Sequence, residues 1–386
     1  MWRGRIRSVW GVTPILTLTL KARCDRLLGI QSESLVFTTY GVTNRFDINL
    51  MVFADWILAH KPSLYLYLGR LVLAWALLRY DIFSYFSDRG ILPINQRFGI
   101  SHEELEVLKR AGKKLYVYVY GADVRTRERT LALGKWHCCM DCPEPGKYCI
   151  CDDNEGKANV EHIAQYATAF VALGDMVAYV PNCREIHYWP VDTQAIGYVG
   201  VTHHDGPLRI VHASNHPFFK GTRHLEDAVR RLKEEGIAIE LISMSGVSNS
   251  VVIEGFAKAD VIADQFICGS YGYTALEAMA RGKPVLCYIR NDDMLLQPNE
   301  CPIINTSPDT LYDTLRWCVF HRKDLVEIGR RGRKYVERHH SIPAVAVRFG
   351  NLYMETAGLP PRLMSKLALT IKRIEGTLSE IDRLDA

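Results

Sequence analysis

The segment Gly269-Ser270-Tyr271-Gly272-Tyr273-Thr274-Ala-Leu-Glu277-Ala-Met-Ala-Arg-Gly282-Lys-Pro-Val-Leu concentrates more usable chemistry than any other part of the chain. Its pattern is a glycine-bearing loop that opens a helix and then runs directly into a strand. The first amides of a helix have no intrahelical acceptor, and the helix dipole adds partial positive charge there. Such a start suits an anion, a diphosphate among them. Glu277 falls in the first turn, where a carboxylate can accept from ribose hydroxyls. Thr274-Ala-Leu-Glu277 is also the pattern of a capping box, in which the carboxylate serves only the helix. Local physics leaves both readings open.

A second concentration is His137-Cys138-Cys139-Met-Asp-Cys142, continuing to Cys149-Ile-Cys151. Five of the eleven cysteines fall between 138 and 151. Cys139-x-x-Cys142 has metal-ligand spacing, and Cys149-x-Cys151 offers two more thiolates. The expectation is one structural zinc on Cys139, Cys142, Cys149 and Cys151, with Cys138 or His137 to spare. Free thiols and disulfides are the alternatives. A third candidate is Tyr120-Gly121-Ala-Asp123-Val-Arg125, at the end of an apolar strand. Asp123 and Arg125 either face a binding cleft or form a salt-bridged turn.

Strands alternating with helices must position these residues. Strand signals fall at 34–39, 81–85, 115–120, 170–173, 208–213, 237–242, 261–262 and 284–289. Leu115 to Tyr120 has no polar face, as in a parallel strand covered on both sides. Helical signals fall at 50–78, 101–112, 160–170, 250–258 and 274–281. Leu225, Ala228, Val229 and Leu232 line one helical face at the i, i+3, i+4, i+7 spacing. Ser101 and Glu104 have capping-box spacing, and Ser307-Pro308 suggests a helix start. The pattern predicts an α/β chain with two doubly wound, Rossmann-like domains facing a cleft, joined by a polar linker at 192–207.

At 386 residues, with 48% apolar and 23% charged residues, the chain supports two folded domains and excludes bulk disorder. The net charge of +4 gives no reason to expect nucleic acid. Residues 1–100 carry twelve Lys and Arg against six Asp and Glu, which suits an anionic surface or substrate. The stretch 3–20 reads as a first strand rather than a signal peptide, because Lys21-Ala22-Arg23-Cys24-Asp25 follows in place of a cleavage site. Arg70 and Arg79 interrupt the apolar run at 62–80, short of a membrane span. Six scattered cysteines suit a reducing compartment. The expectation is a cytoplasmic protein, at the inner face of a membrane if it associates peripherally.

The segment from Gly269 to Leu286 resembles the carboxyl-terminal signature of GT-B glycosyltransferases, glycosyltransferase family 4 especially. Those enzymes carry a Glu, seven residues and a second Glu, continuing as Glu-Ala-Met-Ala-x-Gly-x-Pro-Val. Glu277 matches the second Glu, which the resemblance makes a ribose contact. The first falls at Gly269, so the donor-sugar contact departs from the pattern. His212-Ala-Ser-Asn215-His216-Pro-Phe-Phe-Lys220-Gly221-Thr222 resembles the loop in which an Arg and a Lys hold the donor diphosphate. Lys220-Gly221 fits the Lys-Gly pair, and Asn215 with His216 stands at the Arg.

The resemblance is good over 208–340 and weaker over 1–190. It implies domains at 1–195 and 206–340, with 341–386 a helical segment packing back on the first. It implies a glycosyltransferase that moves a sugar from a nucleotide-sugar donor with retention and needs no cofactor for catalysis. The acceptor would be a polysaccharide, a lipid-linked glycan or a small molecule. Lys220 and Asp123 are the expected catalytic residues. Asn215, His216, Lys220, Gly221, Gly269, Ser270, Tyr271, Gly272, Tyr273, Thr274 and Glu277 are the expected donor contacts. A catalytically silent nucleotide- or partner-binding protein is the main alternative, and a sugar-nucleotide epimerase a weaker one.

Overall fold

The computed structural model describes residues 4–384. The chain divides into two compact units. One holds the chain up to Thr126, Gly146–Pro190, and the chain from Ile342 onward; the other holds Arg127–Pro145 and Val191–Ser341.

The first unit begins with β1 (Arg7–Val12), α1 (Leu18–Leu27), β2 (Gln31–Val36), β3 (Ile48–Asn49), α2 (Met51–His60) and α3 (Tyr65–Arg79). It continues with β4 (Ile82–Phe86), α4 (His102–Arg110) and β5 (Lys114–Tyr118). The chain then contributes α5 (Arg127–Leu131) to the other unit and returns for α6 (Asp153–Ala164), β6 (Ala169–Ala172) and β7 (Arg184–Glu185). The strands form one parallel sheet in the order β3-β2-β1-β4-β5-β6-β7. All five residues of β4 are buried, as expected of a strand covered on both faces. Trp10, fully buried on β1, packs its ring 4.9 Å from Tyr118 and 5.2 Å from Phe349.

The second unit holds β8 (Leu208–Ala213), the short α7 (Pro217–Lys220), α8 (Thr222–Glu234), β9 (Ile239–Met244), α9 (Asn249–Lys258) and β10 (Val261–Ala263). It is completed by α10 (Tyr273–Ala280), β11 (Val285–Cys287), β12 (Ile304–Asn305), α11 (Leu311–Phe320) and α12 (Arg322–His339). Its sheet is also parallel, in the order β12-β11-β10-β8-β9. Leu225, Ala228, Val229 and Leu232 all face its core from α8. The chain ends with α13 (Ile342–Thr356) and α14 (Pro361–Leu384) in the first unit. There Tyr353 Oη donates to the buried Asp25 at 3.0 Å, and α13 Thr356 meets Tyr116 Oη at 2.8 Å.

Four sequence readings change. The apolar stretch 50–78 is two helices, because Lys61 leaves the helical region before Pro62, at φ −146° and ψ 64°, and a 3-10 turn intervenes. Ser101 precedes α4, but its side chain makes no cap bond. Glu104 turns inward instead and accepts from the Ile91 and Leu92 amides at 3.0 and 2.8 Å. α11 starts at Leu311, not at Pro308. Finally, Arg127–Pro145 belongs to the second unit rather than the first. Lys135 Nζ and Trp136 Nε1 donate to Asp309 at 2.6 and 3.0 Å, and Arg223 Nε donates to Asp141 at 2.8 Å.

Among the described residues, no helix is long and apolar enough to cross a membrane. Yet α2 and α3 leave large apolar side chains in solvent: Val52 is 78% exposed, Leu71 70% and Leu78 72%, and Trp56, Tyr67 and Trp75 are exposed beside them. Soluble surfaces scatter such residues singly, and here they crowd into fewer than thirty positions.

Candidate functional site

The loops that leave the carboxyl ends of β8, β10 and β11 in the second unit gather most of the predicted residues. This is where parallel α/β sheets bind ligands. The Lys220 ammonium is the hub. Nζ lies 2.7 Å from Asp264 Oδ1, just past β10, and 3.2 Å from Thr274 Oγ1 in the first turn of α10. Asp264 is fully buried, and its other oxygen accepts from the Gly272 amide at 2.7 Å. One carboxylate therefore ties the lysine to the start of α10. Gly221 makes the adjoining turn possible: it has φ +70°, and a Cβ there would lie 3.1 Å from Ile267 Cγ2.

Glu277 sits one turn into α10, 5% exposed, and Asn249 Nδ2 donates to its Oε1 at 2.8 Å. The capping-box reading fails here. α10 starts at Tyr273 with Gly272 as its N-cap and no side-chain cap bond, so Thr274 and Glu277 lie inside the helix. Thr274 instead accepts from Lys220. Burial raises the Glu277 carboxyl to about 7, against the opposing effects of the Asn249 hydrogen bond and the Lys220 charge. Its second oxygen has no hydrogen bond among the described residues.

His212 supports the site from below. Its Nδ1 donates to Ala263 O at 2.9 Å, and Nε2 accepts from Thr222 Oγ1 at 2.7 Å. Burial, then the Lys220 charge, lowers its pKa to about 4, so the ring is neutral. That tautomer makes His212 a spacer between β8 and β10.

Other predicted residues are engaged elsewhere. Asn215 is exposed, and its Oδ1 accepts from the Gly246 amide at 2.9 Å, bracing the loop after β9. His216, also exposed, precedes α7, with its ring near Phe218 and Phe219. Tyr271 is buried, with its hydroxyl 3.2 Å from His340 Nε2, so it anchors the loop. Ser270 is buried, and its carbonyl accepts from Gln265. Tyr273 is half-buried at the start of α10.

Gly269 has φ +89°, and a Cβ there would lie 2.6 Å from Arg290 Cζ. A glutamate at this position would need a strained backbone and a displaced guanidinium. Asp264, Asn249 and Arg290 carry no motif in the sequence; each lies just past a strand or opens a helix.

Asp123 lies in the first unit, fully buried. Ser87 Oγ donates to its Oδ2 at 2.7 Å, and the Tyr120 and Gly121 amides donate to Oδ1 at 2.9 Å. Burial, then the Asp88 charge, raises it to about 7. Arg125 forms a bidentate ion pair with Asp175, at 3.0 Å from Nη2 to each oxygen. These contacts brace the turn after β5. Among the described residues no group of three or more His, Cys, Asp or Glu is placed to hold a metal. Cys139 and Cys142 belong to the second unit and Cys149 and Cys151 to the first.

No protein-family model and no curated protein sequence matches the chain. Solved structures do. Sucrose-phosphate synthase from Thermosynechococcus elongatus is similar over 91% of this chain and 98% of its own, at 11% identity and TM-score 0.60. A glycosyltransferase from Rickettsia africae is similar over 92% of this chain and all of its own, at 12% identity and TM-score 0.57. HepE of Anabaena, solved in complex with UDP, is similar over 91% and 100%, at 12% identity and TM-score 0.56. At these identities the likeness establishes architecture: the chain has the GT-B fold, two α/β units built on parallel sheets.

Proposed function

We propose that the protein is a glycosyltransferase that takes its sugar from a nucleoside-diphosphate donor held by the second unit. The observation that carries this is Lys220 Nζ, fixed by Asp264 and Thr274 at the opening of α10, with the Glu277 carboxylate one turn further on. A departing diphosphate gains negative charge as the glycosidic bond breaks. Lys220 and the positive end of the α10 dipole would stabilise that charge, and their geometry is set before the donor arrives. The half-used Glu277 carboxylate would accept from the ribose hydroxyls. HepE of Anabaena holds UDP, and that supports a uridine donor as the first to test. We assign retention of anomeric configuration and a family 4 relationship as parts of the same proposal, on the motif resemblance alone.

Calorimetry with a panel of nucleoside diphosphates, followed by assay of diphosphate release from the matching nucleotide sugars, tests it. Micromolar binding and turnover are expected. Binding without hydrolysis or transfer on any acceptor would favour the silent nucleotide-binding alternative. No binding to any nucleotide would end the proposal.

The α2–α3 face supports a second element: peripheral association of the first unit with an anionic lipid surface. Trp56, Tyr67 and Trp75 have the amphipathic rings that suit a headgroup zone. Between Leu50 and Tyr80 the charges are Lys61, Arg70 and Arg79 against Asp55, the sign that suits acidic headgroups. Cosedimentation with acidic phospholipid vesicles is expected, weakened in Trp56→Ser/Leu71→Ser. Absence of binding, or binding unchanged in that variant, would rule this element out.

A further inference from the structure

The guanidinium of Arg290 lies against the α-carbon of Gly269, on the loop that opens α10. Only one of its ends is accounted for: Nη2 donates to Cys268 O at 2.9 Å. Nε and Nη1 are both withdrawn from solvent, and neither has a hydrogen-bond partner among the described residues. A guanidinium keeps its charge at every relevant pH, so two buried N–H groups without an acceptor are costly. His137 Nδ1 is likewise buried without a partner, and burial, then the Arg290 charge, lowers the pKa of its ring. Neutral imidazole beside a cation leaves the positive charge standing.

The backbone is built around this side chain. Arg290 N donates to Gly269 O at 2.9 Å, so the two loops are joined where the guanidinium turns back. Gly269 has φ +89°, and any side chain there would collide with Arg290 Cζ and Nη2, each 2.6 Å from the Cβ position. Glycine at 269 therefore makes room for the arginine. Lys220, in contrast, already spends much of its charge on the buried Asp264. A diphosphate meeting Lys220 alone would meet a largely neutralised pair.

We propose that Arg290 is the principal anion-binding side chain of the donor site, donating from Nε or Nη1 to an anionic oxygen of the nucleotide sugar. The inference rests on the donor-binding reading above. Two parts of a donor carry such an oxygen: the diphosphate, and an acid group on the transferred sugar. Either oxygen can accept a charge-assisted hydrogen bond from Nε or from Nη1, the two N–H groups left without an acceptor.

The test measures affinities of wild type, Arg290→Gln, Arg290→Lys and Lys220→Ala by calorimetry. The probes are uridine, UDP, UDP-glucose, UDP-glucuronate and inorganic pyrophosphate, with melting temperature as a control for folding. Loss of a charge-assisted pair should weaken binding roughly 10- to 150-fold. If Arg290 meets the diphosphate, Arg290→Gln weakens UDP, both nucleotide sugars and pyrophosphate by similar factors and spares uridine. If it meets a sugar acid, UDP and UDP-glucose are spared and UDP-glucuronate alone weakens. Arg290→Lys should recover only part of either effect, because a point charge does not reproduce the planar fork. Equal affinities for every probe in wild type and Arg290→Gln, with Lys220→Ala impaired, would overturn this inference and leave the donor site standing. Loss for all probes, uridine included, with a lowered melting temperature would also overturn it, as a structural role. A wild type that binds neither pyrophosphate nor any nucleoside diphosphate of the panel would remove both readings.

Discussion

Two carboxylates, one in each unit, are buried past parallel strands, Asp123 in a turn after β5 and Glu277 within α10, and each is raised by burial to about 7. They differ in what surrounds them. Asp123 receives three donors, two of them backbone amides of its own turn. Glu277 receives one, from a side chain on another helix. A carboxylate whose oxygens are filled by its own loop holds that loop. One with acceptor capacity left, beside a fixed ammonium, can take a ligand. Burial and pKa alone do not separate brace from site; the hydrogen-bond inventory does.

The largest expected effect lies on the brace. Asp123→Ala should strand the Tyr120 and Gly121 amides and the Ser87 hydroxyl, at a cost of about 2–4 kcal/mol in denaturant unfolding. Nucleotide affinity of the folded variant should be unchanged. A variant of full stability that had lost turnover would reverse the comparison and make Asp123 a reacting group.

Lys220→Ala comes next. It should weaken nucleoside-diphosphate binding by about 1.5–3 kcal/mol, the worth of a charge-assisted contact. It also leaves Asp264 buried and unpaired, so stability should fall too. Lys220→Met combined with Asp264→Asn separates the two effects: stability should recover in the pair and affinity should not. Recovery of both would assign Lys220 a purely structural role.

How much of this was legible follows the same division. Pattern sufficed where burial dictates it: the α8 stripe at 225, 228, 229 and 232, the apolar β5 run and the alternation that yields two parallel sheets all lie in the structure. Lys220, Thr274 and Glu277 were legible because a short motif fixes their spacing, and they do converge. Asp264 and Arg290 were not, since single polar residues after short strands have no pattern. Their meaning arises only when β8, β10 and β11 lie side by side. The Ser101–Glu104 spacing misled for a related reason. A capping box is a local preference of about a kcal/mol, and two unsatisfied buried amides at Ile91 and Leu92 outbid it.

Glu277 offers a test by pH. Its folded pKa is raised above the ordinary carboxyl value. The protonated form is therefore the one the fold tolerates best. The contribution to stability is fully present below the unfolded pKa of about 4.3 and is lost as pH rises through about 7. Without ligand, Glu277→Gln should thus become more stable relative to wild type between pH 4.5 and 7.5, by a few kcal/mol at most. The same variant should bind nucleotide more weakly at pH 8, where wild type presents a carboxylate to the ribose. Parallel stability curves for the two proteins would mean that Glu277 titrates normally. Unchanged affinity would take the ribose away from it.

The smallest effect belongs to Asn215, which the sequence placed among the donor contacts. Its Oδ1 is already committed to the Gly246 amide in an exposed loop. Asn215→Ala should cost about 0.5–1.5 kcal/mol of stability and leave nucleotide affinity within twofold. Because Asn215 is exposed and stands five residues before Lys220, Asn215→Arg has room for its side chain and adds a cation near the same loop. If Lys220 and Arg290 together suffice for the diphosphate, the added cation should change affinity mainly at low salt, as a screened surface charge does. A tenfold gain that persists at 0.5 M salt would show instead that the site lacks a cation at 215, and that Arg290 serves the sugar rather than the diphosphate.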